Sequence, residues 1–161
     1  MHICTMNPIT VRKADLNDVE SLLRFEQGVI STERPFDSTL KSGDIHYYDI
    51  KEMIASPNFE IVVAESENKI IGCGYARIVS SKPYLKHEKN IYLGFMYVDP
   101  IHRGKGVNQR ILEALKKWSI AQGLTEMRLE VYFDNLAAIR AYEKAGFKKH
   151  MVEMRMSLND S

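Results

Sequence analysis

Gly94-Phe-Met-Tyr-Val-Asp-Pro-Ile-His-Arg-Gly-Lys-Gly-Val-Asn108 joins three kinds of chain in one short stretch. It opens with an apolar run of strand formers and breaks at Asp99-Pro100. A basic, glycine-spaced loop follows, and an amphipathic pattern begins at Val107. Strand, glycine loop and helix in that order aim free backbone N–H groups at an anion. Glycines let the backbone turn tightly and let a ligand approach without Cβ interference. Arg103 and Lys105 could add charge-assisted bonds. The loop is neither a dinucleotide fingerprint nor a P-loop, having no third glycine and no Gly-Lys-Ser/Thr. An ordinary strand-to-helix turn with solvated basic residues fits the stretch as well as an anion site does.

Outward from there, the remaining chain reads as alternating strands and helices. Residues 9–13 suggest a short strand. Asp15 looks like a helix N-cap, with Leu16, Val19, Leu22, Leu23 and Glu26 at helical spacing to about Gly28. An irregular segment over 31–40 contains Pro35, and residues 47–55 suit a second helix. Residues 59–65 and 70–79 read as an antiparallel hairpin. Gly72 and Gly74 mark a bulge or a close backbone approach in it. Residues 90–98 form a third long strand. The helix from Val107 runs to about Gln122, with Gly123 placed to cap it. Residues 124–133 alternate as a strand, Asp134-Asn135 offers an N-cap to a short helix closed by Gly146, and residues 147–158 read as the last strand or strands. The expectation is an α/β (α+β) fold in a single domain over 1–161, its core about 9–158.

Bulk properties narrow the function. The chain has 161 residues, 45% hydrophobic and 27% charged, with a net charge of +1. That is a globular composition with no global field for nucleic acid or an anionic membrane. No apolar run approaches the roughly 20 residues of a membrane helix, and Met1 to Pro8 lack the basic region and apolar core expected of a signal peptide. Cys4 and Cys73 read as buried or incidental thiols in a reducing compartment. A cytoplasmic protein is expected. No metal-type cluster, no Ser-His-Asp signature and no cysteine placed for nucleophilic work is visible.

The central stretch resembles the acetyl-coenzyme A motif of the GCN5-related N-acetyltransferases (GNAT), Arg/Gln-x-x-Gly-x-Gly/Ala, with Arg103, Gly106 and Asn108 at the three positions. Asn108 departs from the usual Gly or Ala. Asn135-x-x-Ala138-x-x-x-Tyr142-x-x-x-Gly146-Phe147 matches a second family motif at every position. The resemblance implies a mostly antiparallel mixed sheet flanked by helices and splayed at the strand before the glycine loop. It implies that backbone groups of Met96, Tyr97 and Val98 hold a pantetheine arm as an added strand would. Amides of Arg103, Gly104, Lys105, Gly106, Val107 and Asn108 would hold the pyrophosphate of acetyl-CoA, and Asn135 would touch the cofactor. No metal is implied.

The implied chemistry is direct attack of a primary amine on the thioester, with Tyr142 as general acid. Relatives often carry a Glu base near position 92, where this chain has Tyr. Glu33 and Glu130 are the substitutes, although a solvated carboxylate is the plainer reading of each. Glu33, Arg34, Phe36, Asp37, His46, Tyr47 and Tyr48 give the acceptor segment a mixed acidic, basic and aromatic character, with His46 read as structural. The acceptor would be a small-molecule or peptide amine, and pairing through the last strand would make a homodimer. Two rivals keep the fold in view: a non-catalytic acyl-CoA-binding or regulatory domain, and a module recruiting a partner through Tyr47-Tyr48.

Overall fold

The computed structural model describes residues 7–159. Cys4 lies outside them. The chain divides into two compact units, Met1–Glu130 and Val131–Ser161. The first holds strands β1 (Thr10–Lys13), β2 (Phe59–Ser66), β3 (Lys69–Ser80), β4 (Lys89–Val98) and β5 (Met127–Arg128). It also holds helices α1 (Val19–Glu33), α2 (Ile50–Ala55) and α3 (Val107–Ala121). The second holds helix α4, Leu136–Lys144. The five strands lie in the order β1-β2-β3-β4-β5. All neighbours are antiparallel except β4 and β5, which run parallel. This is the mixed, mostly antiparallel sheet expected.

Strand alternation sorts the core into two layers. On one face Ile61, Val63, Cys73 and Tyr75 pack against Leu22, Phe25 and Val29 of α1 and Ile50 and Met53 of α2. The intervening residues face α3, whose Val107, Ile111, Leu112 and Leu115 are buried. Here Gly74 matters, because a Cβ on it would sit 2.5 Å from Met96 Sδ and 2.8 Å from Ile111. The β2–β3 turn uses Glu67 and Asn68, both at positive φ (51° and 62°), the two-residue geometry that matches strand twist.

Several expectations shift. Helix α1 continues past Gly28 to Glu33. Gly28 is a contact site, since its missing Cβ leaves room for the Tyr97 ring, 2.6 Å from where it would stand. Ahead of α1, Asp15 caps a short 3-10 turn, and its capping box with Asp18 is fixed by Arg12, which reaches both Asp18 oxygens at 2.8 and 2.9 Å. The second helix starts only at Ile50, because the Tyr47 and Tyr48 N–H groups donate to Glu26 at 2.9 and 2.8 Å.

Two expected strands are corrected. Of residues 124–133 only Met127–Arg128 pair as a strand, and residues 147–158 form none. Alternation identifies a strand only where a neighbouring edge takes its backbone groups. Met151, Met154, Met156 and Leu158 are exposed instead. Among the described residues no helix is long and apolar enough to cross a membrane.

Candidate active site

The β4–α3 connection is built to leave donors free. Gly104 and Gly106 both stand at φ +78°, a left-handed conformation that side chains strain to adopt. Nothing lies within 4 Å of where a Cβ would be on either, so the backbone faces open space. Gly106 is the N-cap of α3 and supplies no side-chain cap. The N–H groups of Val107, Asn108 and Gln109 therefore lack acceptors within the helix, and the helix dipole adds positive character there. Buried Val107 ties the loop to the core, while Arg103, Gly104, Lys105 and Gly106 are exposed and Asn108 is partly so. Arg103 folds back, donating Nε to the Val98 carbonyl at 3.0 Å and lying 5.7 Å from the Tyr97 ring centre.

The strand before the loop carries a bulge. Cys73 pairs with Tyr97 and Tyr75 with Gly94, so two β4 residues, Phe95 and Met96, oppose Gly74 alone. Phe95 takes φ 55°, rare for a bulky side chain, and is held by Tyr48 stacked at 4.5 Å and by Cys73 Sγ on its carbonyl at 3.4 Å. Pairing of β4 with β5 covers only Ile91–Met127 and Tyr92–Arg128. Beyond Tyr92 that edge of β4 is unpaired among the described residues. The Asp99 N–H donates to Ile71 at 2.8 Å, so by alternation Tyr97 also turns its backbone toward β3, whereas Met96 and Val98 turn theirs to the open edge.

Above the bulge lies an aromatic and acidic cluster. Glu33, at the end of α1, accepts from the Tyr47 hydroxyl at 3.1 Å. Burial raises the Glu33 carboxyl above the ordinary range, partly opposed by that hydrogen bond. Tyr47 is pushed up to about 12, first by burial and then by the Glu33 charge. Tyr92 is pushed up to about 12 by burial, with Glu130 the next cause, and burial raises Tyr75 too. These tyrosines are neutral at physiological pH. Fully buried Glu26 holds the whole loop, taking the Tyr47 and Tyr48 amides and meeting His46 Nδ1 at 2.7 Å. His46 thus sits in a structural contact.

In the second unit, Asn135 caps α4 by accepting from the Ala138 N–H at 3.3 Å. At the other end the Gly146 N–H donates to Glu143 at 3.0 Å and the Phe147 N–H to Tyr142 at 3.0 Å, with Gly146 at φ 106°. Phe147 meets Tyr142 edge-on, ring centres 5.8 Å apart.

The sequence pattern of the Acetyltransferase (GNAT) family matches residues 21–147, across both units. The chain belongs to that family. Human N-acetyltransferase 8B is 36% identical over 87 residues, which is 54% of this chain and 37% of the relative. An IAA acetyltransferase of Azospirillum brasilense is 28% identical over 102 residues, 63% of this chain and 62% of that protein. The match thus spans little more than a third of the human relative. Among solved structures, a tetramutant of the BH1408 protein of Bacillus halodurans superposes with TM-score 0.84 at 21% identity, over 92% of this chain and 99% of that one. A predicted acetyltransferase of Clostridium acetobutylicum, solved with acetyl-CoA, gives TM-score 0.70 at 20% identity over 94% and 97%. At such identities these structures establish the fold.

Within this GNAT chain the first unit brings together the β4 edge, the glycine loop and the Glu33 cluster, with Glu130 beside Tyr75 and Tyr92. Among the described residues no group of three or more His, Cys, Asp or Glu could hold a metal. Free, buried Cys73 is a core residue whose thiol burial pushes well up. Three features escaped the sequence reading: the positive φ of Phe95 within the bulge, the role of Glu26 and the partnership of Glu33 with Tyr47. Glu26 had left a signal as the one polar residue on an apolar helical face, and Gly74, read as marking a bulge or a close approach, stands opposite Phe95 and Met96.

Proposed function

We propose that this chain is an N-acetyltransferase that moves the acetyl group of acetyl-CoA to a primary amine, the two units acting as one domain. The observation that carries the reading is the unpaired β4 edge leading directly into an uncapped α3 N-terminus. That arrangement offers an extended arm a strand edge and a pyrophosphate a set of free amides. The fit is good on the chain's own terms: open space at Gly104 and Gly106, outward backbone groups at Met96, and an outward Val98 whose carbonyl already accepts from Arg103. Tyr97 contributes its ring, which supports α1 and Arg103. Asn135 keeps its amide NH2 for the cofactor while its oxygen caps α4.

Acetyl-CoA, when bound, supplies an electrophilic thioester carbon and a thiolate leaving group. The acceptor amine must be neutral to attack, so a residue must take its proton. Glu33 is the better placed of the two carboxylates, because burial brings its proton affinity closer to neutrality than that of an exposed acid. Glu130, exposed beside Tyr75 and Tyr92, contributes negative potential that draws a cationic amine in. Tyr142 returns a proton to the leaving sulfur, a role supported by its place in the family motif. The rival is an acyl-CoA-binding domain without turnover. Calorimetric titration with acetyl-CoA and a coenzyme A release assay over an amine panel separate them. Absent binding defeats both, and binding without release by any amine favours the rival.

A further inference from the structure

The sheet face covered by α1 and α2 carries a row of side chains that the reading above does not use. Strand register places Phe59 opposite Arg77, Arg77 opposite Tyr92 and Tyr92 opposite Arg128. The four therefore share one face in a line across β2 to β5. The Arg77 guanidinium lies over the Tyr92 ring, its Cζ 5.0 Å from the centre. Its Nε is buried without a hydrogen-bond partner among the described residues. No carboxylate among them pairs with it, whereas Arg128 gives its Nε to Glu126 at 3.2 Å. A half-buried cation with an unused donor is costly unless something else supplies the acceptor.

The next row along the strands is Tyr75 and Gly94, with Glu130 two residues past Arg128. It lies roughly 7 Å away, two residues of strand rise. This part of the sheet face is thus bipolar. Glu33 and Glu130 gather near Tyr92 and Tyr75, where β4 and β5 part. Arg77 lies beside Tyr92, one row along from Tyr75. A plain cationic amine would find the carboxylates useful and Arg77 repulsive. An amine that also bears an anion would satisfy both.

We propose that Arg77 is a specificity-determining residue of the acceptor site, binding a carboxylate or phosphate carried by the amine substrate. The inference rests on the N-acetyltransferase reading. A planar guanidinium held against Tyr92 presents its outer N–H edge as a fork that fits either group.

The test is a set of matched acceptors assayed by coenzyme A release at saturating acetyl-CoA: L-methionine against L-methioninamide, and O-phosphoethanolamine against ethanolamine. The wild-type protein is expected to favour the acidic member of at least one pair by about 10- to 100-fold in kcat/KM. The preferred pair tells carboxylate from phosphate. Arg77→Gln should remove that preference by raising KM for the acidic amine alone, leaving KM for acetyl-CoA and the kcat of the neutral amine unchanged. Arg77→Lys should restore part of it, as charge without the fork. Equal or better use of both neutral amines overturns the proposal while the transferase stands. So does a preference that survives Arg77→Gln. No release with any of the four amines also overturns the proposal, whereas the transferase reading is decided separately by acetyl-CoA binding and the wider amine panel.

Discussion

Replacing Glu26 tests how the tyrosines over the β4 bulge are held. The side chain is fully buried. One carboxylate oxygen accepts both the Tyr47 and Tyr48 amides, and the other meets His46 Nδ1. Glu26→Leu keeps the volume but removes every acceptor, stranding two backbone donors at about 1–3 kcal/mol each, so the loss is about 2–6 kcal/mol. Glu26→Gln can place its carbonyl oxygen where both amides need it and turn its NH2 toward a neutral His46. Its cost should be about 1 kcal/mol. Urea unfolding at neutral pH reads both differences. In thermal melts a chain of this size moves about 2–4 °C per kcal/mol, so the leucine variant should lose at least about 4 °C. If Gln proves as damaging as Leu, the buried charge carries the stability and the acceptor argument is wrong. A leucine variant as stable as the wild type would show that apolar packing replaces the contacts, as it can for buried ionic groups.

Gly106→Ala puts a Cβ on a residue at φ +78°, at a conformational cost of about 1–2 kcal/mol. Acetyl-CoA affinity should fall about tenfold by calorimetry, whereas Gly43→Ala, at φ +81° in another loop, should cost stability without touching affinity. Tyr142→Phe should lower kcat about 10- to 100-fold with the acetyl-CoA Kd unchanged, since only a proton donor is lost; unaltered turnover would move the acid role elsewhere. For Glu33 the signs are definite. Its raised carboxyl must ionise to serve as a base, so the acid limb of the kcat/KM profile should lie above the ordinary carboxylate range and vanish in Glu33→Gln. Because burial favours its protonated form, its contribution to stability is largest at low pH and is lost as pH rises through its folded value. A limb that survives the substitution assigns the base to another group.

Much of this was legible from local chemistry. The hairpin at 59–80, the strand ending at Val98 and the helix starting at Val107 announce themselves because each buries a periodic apolar face. What failed was nonlocal. Gly28 reads as a helix stop only until the Tyr97 ring is known to need its missing Cβ. The strands expected over 124–133 and 147–158 had the right alternation, but alternation carries no information about whether an edge is available. The β4 bulge is half visible, because Gly74 marks it on β3, but nothing about a phenylalanine announces the positive φ of Phe95, which here follows from Tyr48 and Cys73 gripping it from distant segments.

The second motif shows how a resemblance can be correct and still say less about chemistry than it promises. Asn135 is the N-cap of α4, and Ala138 is the residue whose N–H it receives. Tyr142 provides the carbonyl that Phe147 closes on, Gly146 takes the left-handed cap position, and the Tyr142–Phe147 contact seals the end. Every position of Asn-x-x-Ala-x-x-x-Tyr-x-x-x-Gly-Phe is therefore accounted for by starting and stopping a helix of fixed length. A chain could keep the whole pattern for stability alone. A phenylalanine at 142 would serve the cap and the ring contact equally well, since both use the backbone and the ring. Changes at Asn135 or Gly146 disturb the helix ends along with any functional role, whereas Tyr142→Phe spares both caps, and that is why it tests the proposed acid more cleanly than a change at either of them could.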